Sequence, residues 1–226
     1  DLHRRRHSFP TRRSSDLEEI YLLLVLSALG GLVLVSSRHL ASFFIGLELL
    51  SIPVYGMIAY TFRNARSLEA GIKYIVLSAT ASAILLFGMA LIYAVSGTLS
   101  FRGLAQVYLS AELMNPMLLI GSAMVLAGVA FKLSVAPFHA WTADVYEGAP
   151  APISAYLSTA GKAAVLAVLI RFLYESGAVH SILVQEVLGI LAGISIVVGN
   201  LLAIQQNNIK RLLAYSSIAH FGYLLI

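Results

Sequence analysis

Seven apolar runs, each long enough to cross a bilayer as a helix, follow one another with short polar connections between them. They cover residues 20–36, 40–62, 74–95, 116–138, 153–174, 182–204 and 212–226. A helix needs about 17–25 predominantly apolar residues to span the hydrocarbon core. Of the 226 residues 59% are hydrophobic and 12% charged, against about 25% charged in an ordinary soluble domain. So few charges cannot cover a globule of this size, and the bilayer is its solvent. The expected fold is all-α, a polytopic transmembrane helical bundle. The longest connection, residues 96–115, reads as a surface helix, and the stretch 142–151 reads as a loop.

The ends differ from the middle. Residues 1–17 (DLHRRRHSFPTRRSSDL) are basic, polar and non-periodic, with a net charge of +3, while residues 18–226 carry only +1. The pI therefore gives no reason to expect a nucleic-acid partner. The first 17 residues lack the apolar centre and cleavage site of a secretory signal. They resemble translated sequencing-adapter text and read as a non-native basic arm, the alternative being a solvated juxtamembrane arm that touches anionic lipid, with 18–226 the transmembrane domain. The first apolar run begins at full strength and the last stops inside a span, so the chain reads as truncated at both ends. There is no cysteine, which excludes disulfides and thiolate-ligated clusters. Loop charges set orientation: Arg63, Arg66, Lys73, Lys210 and Arg211 fall on one side, Arg38, Arg102 and Arg171 on the other. The first set marks the cytoplasmic side, and the 142–151 loop with Asp144 and Glu147 goes with it.

Three charged residues stand deep inside spans. Glu48 lies in Phe43-Phe-Ile-Gly-Leu-Glu48-Leu-Leu-Ser-Ile-Pro53, Lys132 in Met124-Val-Leu-Ala-Gly-Val-Ala-Phe-Lys132-Leu-Ser-Val-Ala-Pro137, and Lys162 in Tyr156-Leu-Ser-Thr-Ala-Gly-Lys162. A charge at a helix centre costs roughly 2.5–3.5 kcal/mol on insertion scales and marks a functional site by default. Lysines near helix ends snorkel to the interface, which accounts for Lys73, Lys210 and Arg171 but not for Lys132, which follows a long apolar run. A structural ion pair is the competing reading, although making one contributes little net stability. Both Glu48 and Lys132 precede a proline by five residues. Proline leaves the carbonyl four residues earlier without its donor, so helix breaks are expected at Pro53 and Pro137, freeing the carbonyls of Leu49 and Leu133. Broken helices of this kind build polar sites in transporters.

Glu48 and Lys132 read as a coupled pair. Opening it would release the attraction that keeps the proton on Lys132, and Lys162 is the next acceptor, so the titration belongs to the group. His139 and His220 are candidate relays, though a hydrogen-bonded structural histidine is the plainer reading of each. His39 and His180 are ambiguous, with the structural reading the plainer one for them too. No metal motif and no GxGxxG or P-loop pattern is present, so no metal or cofactor is expected in this chain, and the energy for proton movement must come from outside it.

Three stretches resemble a known family: Gly46-Leu-Glu48-Leu-Leu-Ser-Ile-Pro53, Phe131-Lys132-Leu-Ser-Val-Ala-Pro137-Phe-His139-Ala-Trp141-Thr-Ala-Asp144-Val-Tyr146-Glu147-Gly-Ala-Pro150, and Asn208-Ile-Lys210-Arg211-Leu-Leu-Ala-Tyr215-Ser-Ser-Ile-Ala-His220. They are similar to the antiporter-like membrane subunits of proton-pumping NADH:quinone oxidoreductase, respiratory complex I. Ala149-Pro-Ala-Pro-Ile-Ser with Leu157-Ser-Thr-Ala-Gly-Lys162 looks most like the N-subunit branch. The resemblance implies fourteen helices with two inverted five-helix repeats, of which this chain would hold helices four to ten: the first repeat and part of the second. The family's glutamate and two lysines fall on Glu48, Lys132 and Lys162, which makes 18–226 the transmembrane proton-translocating domain, and its lysine on helix twelve would lie past Ile226. It further implies sibling membrane subunits and lipid as partners, a bacterial inner membrane location, and NADH, flavin, iron–sulfur and quinone sites in other subunits. A multisubunit cation/proton antiporter and a non-transporting scaffold are the alternatives. A faint internal echo pairs Ser51-Ile52…Tyr55-Gly56 with Ser217-Ile218…Phe221-Gly222.

Overall fold

The computed structural model describes residues 14–61, 64–109 and 115–226, with side chains from Glu18 onward. The basic arm of residues 1–17 lies outside the described residues apart from the backbone of its last four, and Arg63 lies outside them too. The chain forms α1 (Ser14–Ser36), α2 (Leu40–Ile58), α3 (Ala65–Ser96), α4 (Phe101–Tyr108), α5 (Pro116–Leu133), α6 (Ala140–Gly148), α7 (Ala151–Tyr156), α8 (Lys162–Glu175), α9 (Ile182–Ile204) and α10 (Ile209–Leu224). A π-helical turn, Leu157–Gly161, joins α7 to α8. No β-strand occurs among the described residues; His39 and Ser100 make one isolated bridge.

Local chemistry explains the boundaries. Asn64, Asn115 and Asn208 each cap the helix that follows, accepting from the amides of Arg66, Met117 and Lys210 at 3.0, 2.9 and 2.9 Å, as N-cap asparagines do. Pro116 adds a preset φ at the start of α5. The cap at Asn64 also starts α3 well before residue 74, because the polar turn Ala65–Glu69 carries the helix beyond its apolar part. Gly97 ends α3 in the left-handed conformation at φ 65. The expected surface helix is α4, which turns Phe101, Leu104, Val107 and Tyr108 into the core.

Among the described residues, six helical stretches are long and apolar enough to cross a membrane. The seventh expected span corresponds to α10, whose 16 residues reach about 24 Å at 1.5 Å per residue, short of the roughly 30 Å hydrocarbon core. The stretch 142–151 is not a loop: most of it is α6, whose Trp141, Val145 and Tyr146 are buried.

α1 packs along α2, α3 along α5, and α9 along α10. Close approach needs small residues, as in membrane helix packing generally. A Cβ at Gly128 of α5 would stand 2.6 Å from Leu85 Cβ of α3, and one at Gly199 of α9 would stand 2.7 Å from Ala219 N of α10. The distribution of polarity is that of a membrane protein. Val25, Leu32, Ile72, Phe87, Ile190 and Leu201 face outward, while Ser27, Ser51, Ser78, Ser195 and two lysines are buried.

The two prolines behave differently from expectation. α2 runs through Pro53 as a continuous helix; its neighbours α1 and α3 hold it on both sides, and such support lets membrane helices keep a proline without breaking. At the second site the helix does end, but before the proline. Ser134 adopts φ 61, its amide donates to Phe131 O at 3.0 Å, and Val135 N donates to Ala130 O at 2.8 Å. This is a Schellman end with serine in the place glycine usually takes, at a cost on the order of 1–2 kcal/mol. α5 thus stops at Leu133 because of Ser134, and Pro137 lies in the non-helical link that follows.

Candidate functional site

The Schellman turn puts Lys132 in the last turn of α5, facing α2 and α3. Lys132 is 6% exposed and Lys162 1%, so neither snorkels to water. Lys132 Nζ donates to Ser51 Oγ of α2 at 2.8 Å and to Ser78 Oγ of α3 at 2.7 Å. Ser78 also accepts from Tyr55 OH at 2.8 Å. Glu48, half-buried one turn before Ser51, accepts from Ser82 of α3, one turn after Ser78. Glu48 and Lys132 are thus neighbours across the α2–α3 groove, but among the described ion pairs they form no direct contact. The expected pair is instead spaced by hydroxyls: Glu48 and Ser82 at one level, Ser78 and Ser51 around Lys132 at the next. Helix geometry causes this, since Ser78 and Ser82 are four apart on α3 and share its face.

Lys162 opens α8 directly after the π-helical turn. Ser158 and Thr159 donate to Ala155 O at 2.9 and 2.7 Å, and neither makes a described hydrogen bond with Lys162 despite their sequence proximity. Its partner comes from α10: Lys162 Nζ donates to Ser217 Oγ at 2.8 Å. The ring centroids of Phe221 and Tyr146 lie 4.9 and 5.7 Å from Nζ, within cation–π range. The two lysines line one cavity of about 20 Å³ together with Tyr74, Tyr156, Leu157 and Gly161, enough for a single water. Beyond Lys162, a larger cavity of about 390 Å³ holds Ser154, Ser158, Ser217, Lys210 and His220.

The candidate relays separate. His220 is exposed and lines that larger cavity, one turn from Ser217. His139 precedes α6, and its Nδ1 is buried with no hydrogen-bond partner among the described residues. Neither contacts Lys132 or Lys162 in any described hydrogen bond. Ser51, Ser78, Ser82, Tyr55 and Ser217 were not expected at the site. Two signals pointed to some of them: the i, i+4 spacing of Ser78 and Ser82, and the internal echo that pairs Ser51 with Ser217.

Around α6 the charges form a network on one end of the bundle. Asp144 binds Lys73 at 2.9 Å and Arg211 at 2.7 Å, Glu147 binds Arg211 at 3.1 Å, and Lys210 Nζ donates to Ala149 O at 2.7 Å. Arg38 meets Glu175 at 3.6 Å at the opposite end. Burial works to raise the Asp144 carboxyl, but the hydrogen bonds from Lys73 and Arg211 outweigh it and hold the group below the usual carboxylate range. Trp141 of α6 ties this region to the lysine: its Nε1 donates to Phe131 O at 3.2 Å, the carbonyl just before Lys132, and its ring stacks on Phe131 at 5.3 Å. Among the described residues, no group of three or more His, Asp or Glu side chains is placed to hold a metal ion.

A family described as NADH:quinone oxidoreductase/Mrp antiporter, transmembrane, matches residues 37–226. The NADH-quinone oxidoreductase subunit N of Acinetobacter baumannii is 56% identical over 220 residues, 97% of this chain and 44% of the relative. Respiratory complex I from Thermus thermophilus with bound aureothin contains a chain of similar fold, with TM-score 0.78 and 41% identity over 92% of this chain and 44% of that one. The Mrp complex from Dietzia sp. contains another, with TM-score 0.80 and 25% identity over 90% of this chain and 38% of that one. The chain therefore spans less than half the length of the relatives it matches.

Proposed function

Since the chain belongs to the NADH:quinone oxidoreductase/Mrp antiporter transmembrane family, we propose that it works as the proton-translocating part of an N-type membrane subunit of a bacterial NADH:quinone oxidoreductase. The redox groups and quinone then reside in other subunits, and sibling membrane subunits are its partners in the cell membrane. The observation that carries this reading is one polar path through an apolar bundle. It runs from Glu48 and Ser82 through Ser78, Ser51 and Lys132, across a cavity of one water's size, to Lys162 and Ser217.

In this reading Lys132 is the central proton carrier. Its ammonium is held by two hydroxyls and by the field of the Glu48 carboxylate one turn away, without the direct contact that would lock it in an ion pair. A change at Glu48 alters that field while the hydroxyls stay in place. A water in the shared cavity would link Lys132 to Lys162, and Ser217 then leads toward the larger cavity with His220 and Lys210. Driving energy enters as conformational or electrostatic change from the redox-active part of the complex. The fold alone matches Mrp and complex I chains equally well; the 56% identity to a subunit N favours the oxidoreductase.

Lys132→Ala in the full-length parent, assembled in its complex, tests the reading. NADH-driven acidification of inverted membrane vesicles is expected to fall by more than about tenfold, since removing the group leaves the path without its carrier. Undiminished acidification in a normally assembled complex excludes it and leaves a scaffold with buried charges. Sodium transport in place of NADH-linked proton movement points to the antiporter.

A further inference from the structure

The link between α5 and α6 is non-helical backbone inside an apolar bundle, where every amide needs a partner within the protein. Ser134 N and Val135 N turn back to Phe131 O and Ala130 O, and Phe138 N donates to Val135 O. Pro137 has no amide hydrogen. The Ala136 amide leaves the segment: it donates to Ser195 Oγ of α9 at 2.9 Å, fully buried and 59 residues away in sequence. Ser195 can accept because its own hydroxyl hydrogen is committed to Leu191 O, one turn earlier in α9. α9 is otherwise poorly buried. Its inward residues are Ala192, Ser195 and Gly199, and Gly199 serves the contact with α10. Ser195 is thus the buried polar side chain of α9, and it is spent on the break that follows Lys132.

We propose that Ser195 is a positioning residue for Lys132: by holding the Ala136 amide it fixes the α5–α6 break against α9, and with it the turn that aims Lys132 at Ser51 and Ser78. The inference rests on the reading of Lys132 as proton carrier. Lys132 lies one residue before the end of α5. Only Phe131 and Lys132 separate the accepting carbonyl Ala130 O from the end of α5, so a shift of the break moves the ammonium. Trp141 holds the same turn from the α6 side through Phe131 O. Ser195 holds it from a helix that belongs to the later half of the chain, so movement of α9 reaches Lys132 through this bond.

The test uses the full-length parent in its assembled complex, with Ser195→Ala, Ser195→Thr, Ser195→Val and Lys132→Ala compared. Two quantities are read: protons moved per NADH oxidised in vesicles, and amide hydrogen exchange of the peptide covering 131–139. Losing the acceptor is expected to speed exchange at the break about tenfold in the Ala and Val variants, the scale of one lost buried hydrogen bond. Pumping in both should fall about threefold or more while NADH oxidation continues, and Thr, which keeps the oxygen in nearly the shape of Val, should restore both. Native pumping in Ser195→Ala, or equal behaviour of Thr and Val, overturns the inference. Loss of pumping in Lys132→Ala alongside native Ser195→Ala rejects the positioning role alone. Native pumping in Lys132→Ala rejects the carrier reading beneath it.

Discussion

The surroundings of Lys132 and Lys162 answer the same problem differently. Both ammonium groups are buried in an apolar bundle, and both donate to a serine at matching places in the internal echo, Ser51 and Ser217. Lys132 has a second hydroxyl in Ser78 and a carboxylate one turn away on α2. Lys162 has one hydroxyl and the faces of Phe221 and Tyr146. Ring quadrupoles and a single dipole compensate a charge far less than a carboxylate with two hydroxyls. In the proposed reading Lys132 is therefore the lysine modulated at a distance through Glu48, while the charge of Lys162 rests on a single hydroxyl and two ring faces. The hydroxyls matter because they space Glu48 from Lys132: a direct buried pair would be hard to open.

Substitutions can break that comparison. The largest effect is expected from Lys162→Ala in the full-length parent, which should match Lys132→Ala and cut NADH-driven vesicle acidification by more than about tenfold if the two act in series. A mild loss means that Lys162 serves packing alone. Glu48→Gln keeps an acceptor for Ser82 but removes the charge that acts on Lys132, and a loss of about tenfold in pumping at normal assembly is expected, the scale of one charge-assisted interaction. Ser217→Ala should then cost more than Ser51→Ala, because Lys162 loses its one hydroxyl whereas Lys132 keeps Ser78. Equal pumping in the two serine variants would erase the asymmetry. The smallest effect concerns the Asp144 network outside this path. Because the folded state holds Asp144 below its ordinary range, its stabilisation is complete above the ordinary aspartate value of about 3.9 and is lost as pH falls through the lowered one. Asp144→Asn should flatten that part of the melting-temperature profile against pH and cost about 1 kcal/mol or less at neutral pH, as partly exposed pairs do.

Much of the architecture was legible before any coordinates. The span 182–204 coincides with α9, and the others agree within a few residues except where caps intervene, as at Asn64. The site was legible only in its charges. Glu48, Lys132 and Lys162 stand out because ionisable groups in apolar runs are rare and costly. Their partners are serines, which are common in membrane helices and usually bond back to their own helix, as Ser158 and Thr159 do. Pro53 and Pro137 misled for a related reason. A proline removes one hydrogen bond, but whether the helix then breaks depends on its neighbours, and at the second site Ser134 had already ended it.

From composition and periodicity alone came a bilayer-spanning helical protein with three charged groups deep in its spans, because the energetics of lipid act on each residue of a span regardless of what it touches. Tertiary packing alone decided which way each helix turns its hydroxyls. That rotation set Glu48 and Lys132 apart by a layer of serines, placed Ser217 rather than Ser158 on Lys162, and brought Ser195 onto the break beside Lys132, since a contact between distant helices has no local signature in the chain.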